Sequence, residues 1–307
     1  MTVCSMFDPR AASSRSAPPP RGRVTRFAPS PTGWLHLGHA HSALFAARQA
    51  TAVPGGRFLL RIEDIDTGRC RPEYDAGLRE DLAWLGLTWE EPVRRQSDHL
   101  AEHAVALDHL RALGLLYPCF CTRKDIQAEI AASPSAPHGP DGPLYPGTCR
   151  ALDPAERADR LAAGEPHALR LDMARAEAHA DAGGSPALTW HDAGAGSQCA
   201  RPSLFGDVVL ARKDIPTSYH LAVTLDDAAQ GVTLVTRGQD LFEATHVHRL
   251  LQALLDLPVP EYHHHGLLTD AAGRRLAKRD NARAVRTLRE AGVPPADVRA
   301  MAGVPDA

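Results

Sequence analysis

The sequence predicts an α/β fold: a doubly wound, mainly parallel sheet, interrupted by an insertion and followed by a short helical segment. Three observations carry this. Apolar runs at residues 24–28, 57–62 and 232–236 alternate with helical patterns instead of turning back as hairpins. Each run ends in residues suited to a ligand, where open parallel sheets bind theirs: Pro29-Ser30-Pro31, Glu63 and Arg237. Between the second and third runs, Cys119 and Cys121 open a stretch rich in Pro, Gly and Ser that breaks the alternation. The expected organisation is a disordered tail (1–22), the first half of the sheet domain (23–118), an insertion (119–203), the second half with a mobile basic loop (204–281) and a short C-terminal helical segment (282–307).

Composition sets the outer limits. The 307 residues carry 34 Lys and Arg against 37 Asp and Glu, a formal net charge of −3. No global basic field announces nucleic acid, so any RNA-binding face must be local. No apolar run reaches membrane-spanning length, and the N-terminus lacks the apolar core of a secretory signal. The six cysteines are mostly scattered, which fits a reduced, cytoplasmic chain better than a disulfide framework. A monomer without membrane contact is expected.

In order, the first strand breaks at Pro29 and Pro31, turns at Gly33 and enters a helix through His36, Gly38 and His39. Such a turn presents backbone N–H groups to phosphate, and two histidines flanking a glycine add donors while the backbone comes close. The second strand runs into Glu63-Asp64-Ile65-Asp66. Glu63, at the strand end, suits an ammonium group; Asp64 and Asp66 read equally well as turn or capping residues. Residues 72–85 form an amphipathic helix with Leu78, Leu82 and Leu85 on one face, and 97–115 a helix capped by Ser97 and Asp98.

In the insertion, Cys119, Cys121 and Cys149 make a candidate structural zinc site, with His138 or Tyr145 as the fourth ligand. A helix at 154–164 and a strand at 168–173 follow. The polar stretch 188–203 fits no element, and a strand is expected at 205–210. The run at 232–236 ends in Arg237, whose guanidinium just past a buried strand suits a carboxylate. Residues 242–255 are helical, with His246 and His248 read as an exposed face; His263, His264 and His265 are read as structural. Arg274, Arg275, Lys278 and Arg279 crowd a Gly-containing loop, and a helix at 282–291 follows it.

The run from Arg26 to His41, RFAPSPTGWLHLGHAH, resembles the first signature of class I aminoacyl-tRNA synthetases in its glutamyl and glutaminyl form. RIEDID (61–66), SYHLAVTLDD (218–227) and VTRGQDL (235–241) are similar to further motifs of the glutamyl catalytic domain. RLAKR (275–279) resembles the second signature, with Arg275 for its first lysine and Ala277 and Arg279 for its serines. The resemblance covers roughly residues 23–281 and implies a Rossmann-type core that activates L-glutamate with ATP and Mg2+. It implies that Arg26, Phe27, Ala28, Pro29, Ser30, Glu63, Tyr219 and Arg237 hold glutamate, with Asp226 supporting them from behind. It implies that His36, Gly38, His39 and Lys278 hold ATP, with His36, His39 and Lys278 acting at the reacting phosphates.

C-x-C…Y-x-x-x-C is similar to the zinc-bearing insertion of bacterial glutamyl-type enzymes, which implies one Zn2+ on Cys119, Cys121, Tyr145 and Cys149. Only 28 residues (280–307) follow Arg279, too few for an anticodon-reading domain. With that, the resemblance is to the glutamyl-Q tRNA(Asp) synthetase family, whose implied partner is tRNA(Asp) bearing queuosine. A truncated glutamyl-tRNA synthetase charging tRNA(Glu) and a non-catalytic paralogue binding glutamate or its adenylate are the alternatives. ATP–pyrophosphate exchange and labelled glutamate with purified tRNAs separate the three.

Overall fold

A computed structural model describes residues 22–132, 138–182, 188–268 and 284–304. The first half contains β1 (Val24–Phe27), α1 (Leu37–Thr51), β2 (Arg57–Ile62), α2 (Pro72–Trp84), β3 (Glu90–Arg95) and α3 (Leu100–Ala112). β1 pairs with β2 and β2 with β3, all in parallel. Four of the six buried residues of α1 are alanines, Ala40, Ala43, Ala46 and Ala50, which lets its backbone lie close to the sheet. Thr25 Oγ1 donates to the Ala46 carbonyl at 2.8 Å across that contact. Pro72 starts α2, and Leu78, Leu82 and Leu85 are buried as their spacing predicts. The expected Ser97 cap is not formed. Ser97 instead gives its N–H and its hydroxyl to Asp64, each at 2.9 Å, and a 3-10 turn (Gln96–His99) precedes α3.

The middle of the chain contains β4 (Leu116–Cys119), α4 (Arg123–Ala132), a small hairpin of β5 (His138–Gly139) and β6 (Gly142–Pro143), α5 (Pro154–Ala162), β7 (Ala168–Leu171), α6 (Met173–Ala182), β8 (Thr189–Asp192), β9 (Gly196–Cys199) and β10 (Val209–Ala211). β4, β7 and β10 form a separate antiparallel sheet in the order β10-β7-β4. The polar stretch that fitted no element is the β8–β9 hairpin. Its glycines and polar residues suit a two-stranded edge, and their weak periodicity hid it.

The second half contains α7 (Tyr219–Ala229), β11 (Leu234–Gly238), α8 (Ala244–Leu254) and β12 (Glu261–His265), and α9 (Val285–Glu290) and α10 (Pro295–Met301) end the described chain. β11 pairs with β12 and β12 with β8, both in parallel, giving the order β11-β12-β8-β9. The two parallel blocks meet where Thr233 N–H donates to the Val24 carbonyl at 3.0 Å. From this junction the chain winds outward in both directions, to β2 on one side and β12 on the other. That is the switch point at which doubly wound sheets open a ligand crevice.

One expectation changes here. His246 and His248 are not on an exposed face; each is only 3% exposed. α8 packs against both α6 and α7, so it has almost no free face. The C-terminal segment packs into the first half. Val285, Leu288, Val298 and Ala302 join the core beneath α1 and α2, and Val285 N–H donates to the Leu35 carbonyl at 2.7 Å. No helix among the described residues is long and apolar enough to cross a membrane.

Candidate active site

At the carboxyl ends of β1, β2, β11 and β12 lies a cavity of about 580 Å³, within the usual size range of small-molecule sites. Arg26, Phe27, Ala28, Pro29, Ser30, His36, Gly38, His39, Glu63, Tyr219 and Arg237 all line it, so the described residues expected to hold amino acid and nucleotide share one space. Lys278 and its basic neighbours lie outside the described residues.

The wall formed by the start of α1 follows from its capping. His36 is the N-cap, and its Nδ1 accepts from Gly38 N–H at 3.1 Å. His39 Nδ1 accepts from the His36 N–H at 3.5 Å, and the two rings stack with centroids 3.7 Å apart. Both Nδ1 atoms are committed to the helix start, so the proton of each neutral ring is on Nε2. A Cβ at position 38 would lie 3.1 Å from His36 Cε1, which explains the glycine between the histidines. The third histidine, His41, donates from Nδ1 to the Ala302 carbonyl at 2.7 Å and ties α1 to the C-terminal segment.

Beneath the cavity lies a buried ionic cluster. Asp227 accepts from Arg26 Nε (2.8 Å) and Nη2 (3.2 Å) and from Arg61 Nη1 (2.7 Å). Arg61 Nη2 donates to Glu63 Oε1 at 3.0 Å, and Arg26 Nη1 to the Thr236 carbonyl at 3.0 Å. Burial opposes the charge on Asp227, but the two guanidiniums outweigh it and hold its carboxyl below the usual range. Burial pushes Glu63 above that range, with Arg61 opposing it only in part. Glu63 is thus a buried carboxylate whose desolvation its Arg61 partner offsets only in part, at the edge of a cavity.

Asp226, expected behind the site, faces elsewhere. It accepts from Arg94 Nε and Gln96 Nε2, each at 2.8 Å, and secures β3 and the turn after it. Neighbouring residues of a helix point about 100° apart, so only one of the TLDD carboxylates can face β1. Asp227 is the one that does.

Arg237 is enclosed by neutral partners. Its Nε donates to His264 Nε2 at 3.0 Å, Nη1 to Tyr219 Oη at 3.3 Å and to His248 Nδ1 at 3.1 Å, and Nη2 to Thr245 Oγ1 at 2.6 Å. Among the described residues four of its five N–H groups are engaged, which leaves the fifth for a ligand. Tyr219 accepts from Arg237, so its own hydroxyl proton is available to the cavity. His248 in turn meets His220, Nε2 to Nδ1, at 3.1 Å. Burial and the Arg237 charge press His264 and His220 to about 4, and His248 well below its ordinary value. All three rings are therefore neutral near pH 7, and the guanidinium keeps an undiluted positive charge toward the cavity. The sequence reading did not identify Arg61, Asp192, Thr245, His248 or Asp227 as site residues. One signal was present: an arginine inside the apolar strand RFLLRI requires a buried anionic partner.

A second cluster sits under the antiparallel sheet. The sulfurs of Cys119, Cys121 and Cys149 lie within 4.8 Å of one another. Tyr145 Oη is 3.5 Å from the sulfurs of Cys119 and Cys121, and Cys121 Sγ is 3.4 Å from Cys149 Sγ. Around a tetrahedral zinc, S···S separations of about 3.8 Å and S···O separations of about 3.5 Å are needed. The donor set fits such an ion, and the three thiols could hold a metal. His138 is exposed on the β5–β6 hairpin, outside the thiol cluster.

Comparisons with known proteins agree with this architecture. The family model for the catalytic domain of class I tRNA synthetases (E and Q) matches residues 23–302. A glutamyl-Q tRNA(Asp) synthetase of Rhodobacter capsulatus is 54% identical over 286 residues, covering 92% of this chain and 100% of that protein. A glutamate–tRNA ligase 2 of Nitrosococcus oceani is 39% identical, over 88% of this chain but 56% of its own length. Among solved structures, a glutamate tRNA ligase from Elizabethkingia meningosepticum, in complex with its amino acid, superposes with a TM-score of 0.67 at 27% identity. That match covers 85% of this chain and 52% of the ligase.

Proposed function

The chain belongs to the glutamyl-Q tRNA(Asp) synthetases, within the class I synthetases, and from that membership we propose that it activates L-glutamate with ATP, without tRNA, and transfers the glutamyl group to queuosine at the wobble position of tRNA(Asp). The observation that carries the reading is the single cavity. It joins the His36–Gly38–His39 helix start to the Arg237–Tyr219 pair, with Glu63 at its edge.

In the first step the α-carboxylate oxygen of glutamate attacks the α-phosphorus of ATP. The P–O bond to pyrophosphate breaks and glutamyl-AMP forms. In the second, a queuosine hydroxyl attacks the glutamyl carbonyl carbon and AMP leaves. No protein nucleophile is required, so the chain works by position and charge. Glu63 holds the ammonium group, whose charge adds to that of Arg61 in offsetting the burial of the carboxylate. The free N–H of Arg237 and the Tyr219 hydroxyl take the side-chain carboxylate. Phe27, Ala28, Pro29 and Ser30 shape the wall between them, and Arg26, tied to Asp227, keeps the floor fixed. His36 and His39 meet the phosphates through Nε2, with Gly38 admitting them to the helix N-terminus. Lys278 neutralises the departing pyrophosphate, and magnesium accompanies ATP. One zinc ion, held by Cys119, Cys121, Tyr145 and Cys149, fixes the insertion structurally.

Queuosine is favoured over the tRNA 3′ end because the chain is 54% identical to the R. capsulatus glutamyl-Q tRNA(Asp) synthetase and 39% identical to the N. oceani glutamate–tRNA ligase 2. The test uses purified tRNAs and labelled glutamate. Label is expected on queuosine-containing tRNA(Asp) and absent from tRNA(Asp) lacking the modified base. Label on tRNA(Glu) as a 3′ ester, with none on tRNA(Asp), overturns the reading. Arg237→Ala is expected to raise the KM for glutamate far more than that for ATP; equal effects would remove Arg237 from the amino-acid site.

A further inference from the structure

Among the described residues Arg237 has no counter-ion. Among the described residues every group that receives its N–H bonds is neutral, and each must present a lone pair. For a hydroxyl that is a matter of rotation. For His264 it is a matter of tautomer: Nε2 accepts from Arg237 Nε only if the ring proton is on Nδ1.

Asp192 enforces that tautomer. Its Oδ2 accepts from His264 Nδ1–H at 2.7 Å and from the His264 backbone N–H at 3.1 Å. Its Oδ1 accepts from the N–H groups of Gly194 and Ala195, each at 2.9 Å. All four partners are donors, so the site suits a carboxylate and nothing that carries a proton of its own. Asp192 is 2% exposed, comes from the β8–β9 hairpin and does not line the cavity. β12 carries His264 alongside it, with Tyr262 registered against Asp192.

We propose that Asp192 is a positioning residue for amino-acid binding: by fixing the His264 tautomer it sets the orientation of the Arg237 guanidinium, and so the position of the one N–H left for the ligand carboxylate. The proposal rests on the assignment of Arg237 to that carboxylate. An amide at position 192 would turn its oxygen to the two turn N–H groups and its NH2 to His264 Nδ1. The ring proton would then move to Nε2, and Nε2–H would face Arg237 Nε–H. Two donors cannot share that space, so the guanidinium shifts although no residue touching the ligand has changed.

The experiment uses the purified full chain. Nitrogen-15 NMR of histidine-labelled protein is expected to find His264 as the Nδ1–H tautomer in the wild type and as Nε2–H in Asp192→Asn. In ATP–pyrophosphate exchange, Asp192→Asn is expected to raise the glutamate KM by about 10- to 100-fold, the effect of one lost bond to a charged group, with the ATP KM within about twofold. His264→Gln serves if Asp192→Asn does not fold. Its amide keeps one acceptor for Arg237 and one donor for Asp192, so its glutamate KM stays within about threefold, whereas His264→Leu shows the full rise. An unchanged tautomer in Asp192→Asn, or KM values for both substrates rising together, overturns the proposal. If Arg237→Ala raises the glutamate KM while Asp192→Asn does not, the relay fails and the substrate assignment stands. If Arg237→Ala leaves it unchanged, the assignment itself fails and the proposal falls with it.

Discussion

Asp227→Asn should be the most damaging single change beneath the cavity that leaves side-chain volume intact. Arg26 and Arg61 are 4% and 0% exposed, and both donate to this carboxylate. With Glu63 the cluster is neutral, two positive groups against two negative. The substitution leaves one buried positive charge uncompensated and turns an amide NH2 toward at least one guanidinium. At an effective dielectric of 20, each pair in contact is worth about 4 kcal/mol, and the desolvation that Asp227 no longer requires returns part of the sum. Breaking one partner out of a buried pair costs about 3–5 kcal/mol in practice. At about 2 °C per kcal/mol, the low end for large domains, the Tm falls by roughly 6–10 °C. The assay pairs thermal unfolding with ATP–pyrophosphate exchange. Because Arg26 loses its fixed place, the glutamate KM should rise by about tenfold or more. Asp226→Asn is the control: it loosens the Arg94 and Gln96 contacts and lowers the Tm, with the glutamate KM little changed. An Asp227→Asn protein with wild-type Tm and wild-type glutamate KM refutes the reasoning.

Three further outcomes follow from the same geometry. Burial raises Glu63, so the ammonium group meets a protonated carboxyl at low pH; the glutamate KM should fall as pH rises through that raised value, and Glu63→Gln should flatten the profile. Asp81, fully buried with neither oxygen hydrogen-bonded, is raised to about 6 by burial, with Arg289 opposing. A raised folded value means its contribution is present below about 4, the unfolded value, and lost as pH climbs through about 6. The Tm of Asp81→Asn relative to the wild type should therefore grow between those limits and level off above them; a difference that does not vary with pH contradicts the assignment. Metal analysis should find about one zinc per chain in the wild type and little in Cys121→Ser. A metal-free wild type returns the thiols to plain packing.

The two kinds of signal differed in how much of the molecule they revealed. Periodicity located the apolar strands, and the strand-end rule placed Glu63 and Arg237 at one crevice, because parallel sheets gather their carboxyl ends on one side. The turn chemistry after the first strand found the His36–Gly38–His39 wall and cysteine spacing found the thiol cluster, while the motif resemblance chose Tyr145, which spacing left open against His138. What stayed hidden were groups whose importance depends on who stands opposite them. His248 reads as an exposed helical residue until α6 and α7 cover α8 from both sides. Asp226 and Asp227 are indistinguishable as letters and separate only by their direction on α7. Asp192 was hidden because its hairpin is polar and rich in glycine, so no periodicity marked it as part of the central sheet.

The ionic cluster also bears on how the chain is made. Arg26 and Arg61 are synthesised early, in strands whose other residues promote collapse, yet Asp227 is 201 residues from the first and 166 from the second. At about 5–20 residues per second, the interval between Arg61 and its partner is on the order of 10–30 s. Through that time Glu63 is the one carboxylate of the cluster already made, so pairing β1 with β2 would bury two guanidiniums against a single negative charge, which disfavours closure of the nascent half-sheet. A ribosome-bound chain arrested before residue 227 should remain protease-sensitive over residues 22–112, and one arrested after the second half has emerged should not. The same aspartate that steadies the cavity floor thus ties the two early strands to α7, the helix that leads into β11.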